Sequence, residues 1–582
     1  MGLPSRFRQE PVAFTADIEA MFLQVHVTEC YRDLLRFLWW ENGNLDQQPS
    51  IYRMTVHLFG AGSSPGCCNF ALKKTAEDYE KELGSELAEY LRRDFCVDDG
   101  LKSVATARDA KKLISKTKEM SHRGGFNLHK FTSNKREVIE AIPTEDRAKG
   151  IKELNLEKDE LPIERALGIS WCSESDCFKF HIVVQNRPLT RRGILSTVST
   201  AYDPLGFFAP LLLVGKQLLQ ELCKGKVDWD DPIPQNAREC WLRWREELHL
   251  LENLAVPRCF KPEDFGTAQL HHFSDASTNG YGQCCYIRLE NDKGKIHCSL
   301  VLGKARVTPL KIVTIPRLEL TTVVVSVRVS EMLRQELQYE GVQEIFWTDS
   351  KVVLGYTEND SKRFHVFVAN RVQQIRDQTT PSQWRHVETK SNPADDASRG
   401  ITAKEQVESS RWISGSKFLW KPEGLWPQPS EDQDLINLPA GDPGVKKMTT
   451  HAIHMQEPWN LSESLSSFSD WHRARKAVAP LSALQAKTPA VGNSKKTQPG
   501  KTVKRPRESY TPILTVEEIK SAEKEIFKAV QAMAFHEDIS TLKSLQAKVE
   551  GEEISAARQK KTPMRNTSSL HCLDPFLDMD GV

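Results

Sequence analysis

Four carboxylates stand where the chain changes from one element to the next. Asp275 closes the apolar run in "HHFSDASTNGYG", and Glu319 sits early in the helical stretch opened by "IPRLEL". Asp349 ends "EIFWTDS", and Asp395 lies in "NPADDASRG". A carboxylate at the tip of a buried strand costs stability unless something pairs with it. Gathered together, the four would repel one another strongly and would coexist only around cations. Hard oxygen ligands with open water positions suit Mg2+ or Mn2+. Two such ions about 3.5–4 Å apart activate a water and stabilise the leaving oxygen of a phosphodiester. A second set comes earlier: Asp17 in "TADIEAMFLQV", and Asp98-Asp99 in "RRDFCVDDGL". There Asp-Asp-Gly between apolar residues reads as a hairpin tip. Remote carboxylates joined in that way would suit nucleotidyl transfer with two metal ions.

To bring the first four together, the chain needs a sheet whose strand ends meet. Residues 263–400 are the most regular part of the sequence. Their apolar runs predict strands at 271–275, 282–289, 297–305 and 344–349, and another in "SQWRHVET". A helix is predicted over 316–338, two helical stretches follow Asp349, and a last short helix opens at "NPADDASRG". Five strands interleaved with helices imply one mixed sheet with helical cover. If the first and fourth strands are central neighbours, Asp275 and Asp349 emerge side by side at one edge. The flanking helices then carry Glu319 and Asp395 to the same spot. The β-branched run "TTVVVSVRV" weakens the Glu319 helix as an isolated segment. Asp396 reads as a charge that favours its helix N-terminus, with replacement of Asp395 as a ligand left open.

Composition sets the limits. At 582 residues the chain is long enough for three or four domains. Charged residues make up 27%, hydrophobic ones 39%, and the formal net charge is +1. That is a soluble composition which neither favours nor excludes a polyanionic partner. Thirteen cysteines include two adjacent pairs and no C-x-x-C, as in reduced intracellular thiols rather than a disulfide framework or zinc site. "MGLPSRFRQE" has no apolar leader run, and the stretch near "FFAPLLLVG" is too short to span a bilayer. The expected setting is intracellular, cytoplasmic or nuclear, with no membrane insertion and no secretion. Residues 406–510 lose periodicity and become Pro/Ser/Lys-rich, as a largely disordered linker does. Near its end, "KKTQPGKTVKRPR" reads as a solvated linker, with phosphate tracking or nuclear import as the alternative. Beyond it, "TVEEIKSAEKEIFKAVQAMAF" opens on a Thr-x-x-Glu capping box and predicts a helix.

Taken in order, "FSDAS", "RLEL", "WTDS" and "NPADDASRG" resemble the ribonuclease H domain of long-terminal-repeat retrotransposons. By that resemblance Asp275, Glu319, Asp349 and Asp395 are metal ligands. His386, on the strand before Asp395, is then a proton shuttle, or else a structural strand histidine. Upstream, "FRQEPVAFTADIEAMFLQVHV", "YRMTVHLFGAGSSPGCCNFALKKTAED", "DFCVDDGLKS" and "GGFNLHKFTSN" look like the palm of a reverse transcriptase of the Pao/BEL class. "ERALGISW" and "STAYDPLGFFAPLLLVGK" point the same way. The resemblance implies that Asp17 and Asp98 hold polymerase metal ions, with Asp99 the second aspartate of the pair. It puts Phe22 where a bulky ring excludes a ribose 2′-hydroxyl. Gly60, Ser63, Ser64 and Pro65 would border nucleotide and template.

The expected fold is therefore α/β. It comprises an α+β palm over 1–150, truncated because its fingers would lie upstream, and a connection over 151–262. A ribonuclease H-like domain with a mixed five-stranded sheet and flanking helices follows over 263–405. The linker at 406–510 and a helical segment preceding an integrase at 511–582 complete the chain. No D-[ST]-G occurs, so a peptidase dyad is not expected. The expected function is Mg2+- or Mn2+-dependent hydrolysis of the RNA strand of an RNA–DNA hybrid. Single-stranded or duplex nucleic acid are further expected partners, and RNA-directed DNA polymerisation is expected to be impaired. The alternatives are a catalytically inactive nucleic-acid-binding relic and a host-adopted interaction scaffold. Oligomeric state is left open.

Overall fold

The computed structural model describes residues 2–428 except 153, 157–158, 167, 262–265, 340, 360 and 409–410. Beyond these it describes 438, 441–446, 465, 468, 470–487, 516–540 and 543. Met1–Lys447 and Met448–Val582 form two compact units.

In the first unit, the strand Val12–Ile18 lies inside a four-stranded antiparallel sheet. The order is Phe95–Cys96, Asp99–Val104, Val12–Ile18, Leu128–Ser133. Val12, Phe14, Ala16 and Ile18 are buried in one cluster with Leu72, Leu91 and Leu113. Those leucines come from the helices Ser64–Leu83, Ser85–Arg93 and Ala107–Arg123. The last of these starts at Thr106, whose hydroxyl accepts the Asp109 N–H at 3.2 Å and so satisfies an orphan donor. Val97 takes a left-handed φ of 60° where the chain reverses between Cys96 and Asp99. The hairpin tip expected at Asp98-Asp99 is therefore present.

A second antiparallel sheet, Ile163–Ala166, Ile169–Cys172, Cys177–Lys179 and Ala255–Pro257, follows. Two buried arginines stitch it to its surroundings. Arg258 pairs with Asp176 at 2.6 and 2.8 Å. Arg8 donates to the carbonyls of Arg258 at 2.9 Å and Leu300 at 2.6 Å. Guanidinium groups with no exposure are tolerable only with such full pairing. In "AYDPLGFFAP", Asp203 accepts the N–H groups of Phe207 and Phe208 at 2.8 and 2.9 Å. It thereby holds the turn just before the helix Ala209–Lys224, and burial pushes its carboxyl up to about 6. Gly206 has a φ of 77°, and a Cβ there would lie 2.0 Å from the Gly303 carbonyl oxygen. Only glycine lets the connecting region dock on the next sheet.

That next sheet is the mixed five-stranded one. Its order is Ile296–Val307, Gly280–Glu290, Thr267–Ala276, Gln343–Thr348, Trp384–His386. The first three strands are antiparallel, and the last two join in parallel. The first and fourth strands of the sequence are thus central neighbours. The helix Ile315–Leu337 buries Leu320, Val323, Val324 and Val327 in one cluster with Phe346 and Trp384 of the sheet. Each fully buried valine contributes about 1.5–3 kcal/mol, against a helix-propensity cost of about 0.7 kcal/mol at most. Packing outweighs local preference here.

The stretch from 406 onward departs from the linker that composition predicted. Ala403–Glu408 and Arg411–Ser414 are helical, and Trp412, Phe418, Leu419 and Trp426 are buried. The Trp412 indole donates to the Gly206 carbonyl at 2.9 Å. Phe418 and Trp426 pack on Trp347 with ring centroids 4.8 and 6.0 Å apart. These anchors are scattered singly along the sequence, so no periodicity announces them. Further on, the His365 N–H bonds the Gly444 carbonyl at 2.8 Å, and the Tyr356 hydroxyl bonds Asp442 at 2.6 Å. In the second unit, the helix Trp471–Lys487 also falls where a linker was expected. It packs on the helix Val516–Ala534 through Val478, Ala479, Ala522 and Ile526. The basic run at 495–507, Thr515 of the capping box and the integrase-like tail from 544 lie outside the described residues.

Candidate active site

Parallel pairing sets Ser274 opposite Thr348, so the next residues, Asp275 and Asp349, leave adjacent strands at the same end. Asp275 is only 6% exposed. Burial first, and then the charge of Asp349, pushes its carboxyl up to about 7, with Asp395 adding and the Ser398 hydroxyl opposing. Ser398 donates to Asp275 Oδ2. Thr389 donates to Asp349 Oδ2 at 2.6 Å, whereas Asp349 Oδ1 is buried with no hydrogen-bond partner. Glu319 arrives from its helix, and Ser350 Oγ donates to its Oε2 at 2.5 Å. Burial raises the Glu319 carboxyl, the Ser350 bond opposes this, and Asp349 adds to the rise.

Asn392 sets the fourth carboxylate. Its Nδ2 donates to the Ser274 carbonyl and its Oδ1 accepts the Ala394 N–H, both at 3.1 Å. The short helix Ala394–Arg399 therefore begins beside the Asp275 strand. Asp395 and Asp396 then diverge. The charge of Asp395 acts on Asp275, and its oxygens are bonded by Arg399 Nε and, at 3.1 Å, by Arg411 Nη2. Asp396 is held by Arg411 Nε and Nη2 at 3.1 and 2.8 Å. Its charge acts instead on Cys284 and Tyr286. His386 is half-buried and in register with Thr348, one strand away from Asp349.

The earlier carboxylates also meet. Asp17 has Asp99 as its partner on one neighbouring strand and His129 on the other. Burial first, then Asp98 and Asp17, pushes the Asp99 carboxyl up to about 6, while Lys130 opposes. Asp17, however, has both oxygens engaged. His129 Nε2 lies 2.7 Å from Oδ1, and Lys130 Nζ lies 3.2 Å from Oδ2. Phe22 packs edge-on against Phe59 at 4.7 Å, next to Gly60, which has a φ of 88°. Ser63 sits at the N-cap of the following helix and Pro65 in its first turn. Ser64 turns back, its hydroxyl donating to the Leu58 carbonyl at 2.8 Å.

Among the described residues, no three His, Cys, Asp or Glu side chains already surround a common cation position. The donor set at Asp275 nonetheless fits a hard divalent ion. It is all oxygen, mutually repelling, and includes the buried, unbonded Asp349 Oδ1, which are the ligands Mg2+ or Mn2+ accept. The Asp17 set fits less completely, because the His129 ring and the Lys130 ammonium already engage both oxygens of its central carboxylate.

Residues 190–350 match the family described as Pao retrotransposon-like RNaseH-like domain. Over that span the chain is similar to the ribonuclease H-like domain of Pao-class retrotransposons. The match to the Pao family takes in Asp275, Glu319 and Asp349 and ends before His386 and Asp395. Among solved structures, the foamy viral protease-reverse transcriptase in complex with double-stranded DNA is similar at 13% identity, with a TM-score of 0.41. The likeness covers 66% of this chain and 58% of that one, so it spans less than two thirds of the viral chain. No curated protein matches. Among the described residues, no helix is long and apolar enough to cross a membrane.

Sequence reading missed the groups that tune both sites. Ser398 and Arg399 lie within "NPADDASRG", and His129 and Lys130 within "GGFNLHKFTSN", so each pair falls in a motif that the sequence already singles out. Thr389 and Arg411 carried no such signal. Arg411 lies in the stretch whose composition predicts a linker.

Proposed function

We propose that the Pao-type domain hydrolyses the RNA strand of an RNA–DNA hybrid in a reaction that depends on Mg2+ or Mn2+. One observation carries this reading: Asp275 and Asp349 are forced together at the ends of two parallel strands, and Asp349 Oδ1 is left buried without a partner. Asp275, Glu319, Asp349 and Asp395 would hold metal, which would supply an activated water and neutralise charge at the scissile phosphate. The chain's own residues do the rest. Thr389, Ser398 and Ser350 each donate to one oxygen of Asp349, Asp275 and Glu319, which fixes how these carboxylates point. His386, half-buried on the adjacent strand, would be the proton shuttle in this reading.

A labelled hybrid incubated with the full chain tests the proposal. Cleavage with Mg2+, none in EDTA, and loss in Asp349→Asn support it. Wild-type protein that is inactive with every divalent metal but still captures the hybrid on a filter would favour a nucleic-acid-binding relic. Inactivity without capture would favour an interaction scaffold.

A second reading, RNA-directed DNA polymerisation, is favoured by the convergence of Asp17, Asp98 and Asp99. Because His129 and Lys130 occupy Asp17, we expect primer extension on an RNA template to be weak. Robust Mg2+-dependent extension that Asp98→Asn removes would overturn that expectation.

A further inference from the structure

We infer that Arg411, outside the span matched to the Pao family, is a positioning residue that selects Asp395 over Asp396 as the fourth ligand carboxylate. This rests on the proposed metal-dependent reading of the same site. Two successive aspartates in the first turn of a short helix carry the same chemistry, so side-chain type alone does not choose between them. The guanidinium of Arg411 does. Its Nε lies 3.1 Å from both oxygens of Asp396, and its Nη2 lies 2.8 Å from Asp396 Oδ1 and 3.1 Å from Asp395 Oδ2. Its Nη1 donates to the Lys390 carbonyl at 2.7 Å. The next residue, Trp412, has no exposed surface and bonds the Gly206 carbonyl, so the backbone that carries Arg411 is anchored. Asp396 is thereby neutralised where it faces Cys284 and Tyr286. Asp395 keeps Oδ2 on the same fork.

Arg399 plays the opposite part. It bonds Asp395 Oδ1, but its side chain is 63% exposed, against 31% for Arg411. An exposed ion pair is weak and exchanges at small cost. Asp395 would therefore be free to help hold a cation with Asp275, with Arg399 giving way and Arg411 staying in place.

Charge and geometry predict opposite signs, which makes the assignment testable. If Arg411 only neutralised its neighbours, removing it would leave the cluster more negative and tighten metal binding, and Lys would serve as well as Arg. If it positions Asp395, both Arg411→Ala and Arg411→Lys weaken binding, because lysine keeps the charge but loses the planar fork. The measurement is Mn2+ titration of the full chain followed by electron paramagnetic resonance, with thermal melts to confirm folding. Arg411→Lys should weaken Mn2+ binding by about tenfold or more, as for other residues that orient metal ligands, whereas Arg399→Ala should tighten it. Folded Arg411→Lys with wild-type affinity would overturn the inference. Should both Arg411 variants fail to fold, the wild-type background decides: a larger loss in Asp395→Asn than in Asp396→Asn supports selection, and equal losses refute it. If Asp275→Asn binds Mn2+ like wild type, or wild type binds none, the underlying reading falls and this one with it. If Asp275→Asn loses binding while Arg411→Lys does not, only the role of Arg411 falls.

Discussion

The two carboxylate clusters solve one electrostatic problem in different ways. Around Asp17 the sheet is antiparallel, and the cross-strand neighbour on one side is a histidine, followed by a lysine. The repulsion from Asp98 and Asp99 is met by a lysine and a histidine ring built into the fold. Around Asp275 two parallel strands deliver two aspartates to one edge, and the nearest arginines bond Asp395 and Asp396 at the periphery. Asp275 answers by holding its proton up to about pH 7, and Asp349 keeps an unbonded buried oxygen. One cluster is internally compensated. The other remains electrostatically frustrated, which is what the proposed binding of a cation from solution requires.

The largest effect expected from this contrast is at Asp349. Asp349→Asn keeps shape and removes charge, so hybrid cleavage should fall by orders of magnitude while metal-free stability is unchanged or slightly higher. Hybrid binding should survive, since it comes from contacts spread along the phosphate backbone. A mutant that cleaves like wild type in the labelled-hybrid assay would erase the difference between the clusters.

Next in size is Trp412→Ala, which should cost about 3–5 kcal/mol in urea unfolding, as for a large buried aromatic. It should also loosen the Asp395 side and weaken Mn2+ binding there, with Asp17 untouched. A cost near zero would mean that the segment after the sheet is only draped on it.

The pH response comes third. The Asp275 carboxyl moves from an ordinary 3.8 to about 7 in the fold, so between those values the folded protein holds a proton that the unfolded chain has released. Its contribution is fully present below about pH 4 and is lost as pH rises through about 7. For one proton the slope approaches about 1.4 kcal/mol per pH unit. Urea unfolding in EDTA over that range should show stability falling with pH, and Asp275→Asn should remove part of the slope. Asp99, raised only to about 6, has the same sign over a shorter window, so Asp99→Asn should remove less. Equal effects would mean that the clusters are equally strained.

The smallest effect is expected at His129. It and Asp17 are each 21% exposed, so His129→Ala should cost at most about 1 kcal/mol. The freed Asp17 oxygen should raise Mn2+ binding at this cluster, read in the Asp275→Asn background. No gain in binding would show that Lys130 alone suffices to compensate it.

Much of this was legible in the chain itself. Short apolar runs bounded by turn residues announced five strands, and Asp275, Asp349 and Asp395 ended one or lay where a helix opened, because apolar runs and strand termination are local properties. The valine-rich Glu319 helix read as weak only because propensity excludes the sheet it packs on. The buried anchors Trp412, Phe418 and Trp426 were unreadable, since isolated aromatics among Lys, Ser, Gly and Pro have no period and acquire meaning from the surface they fill.

By itself the sequence determined which residues bear charge, in what order, and on which ends of which elements. Adjacency was left to the tertiary structure. Parallel pairing of the Asp275 and Asp349 strands, the clamp of His129 and Lys130 on Asp17, and the fork of Arg411 on Asp395 and Asp396 each join residues separated in the chain. Interactions of that kind depend on distances of a few ångströms and on burial from water. Both exist only once the sheets have formed and residues 411–426 have packed against them.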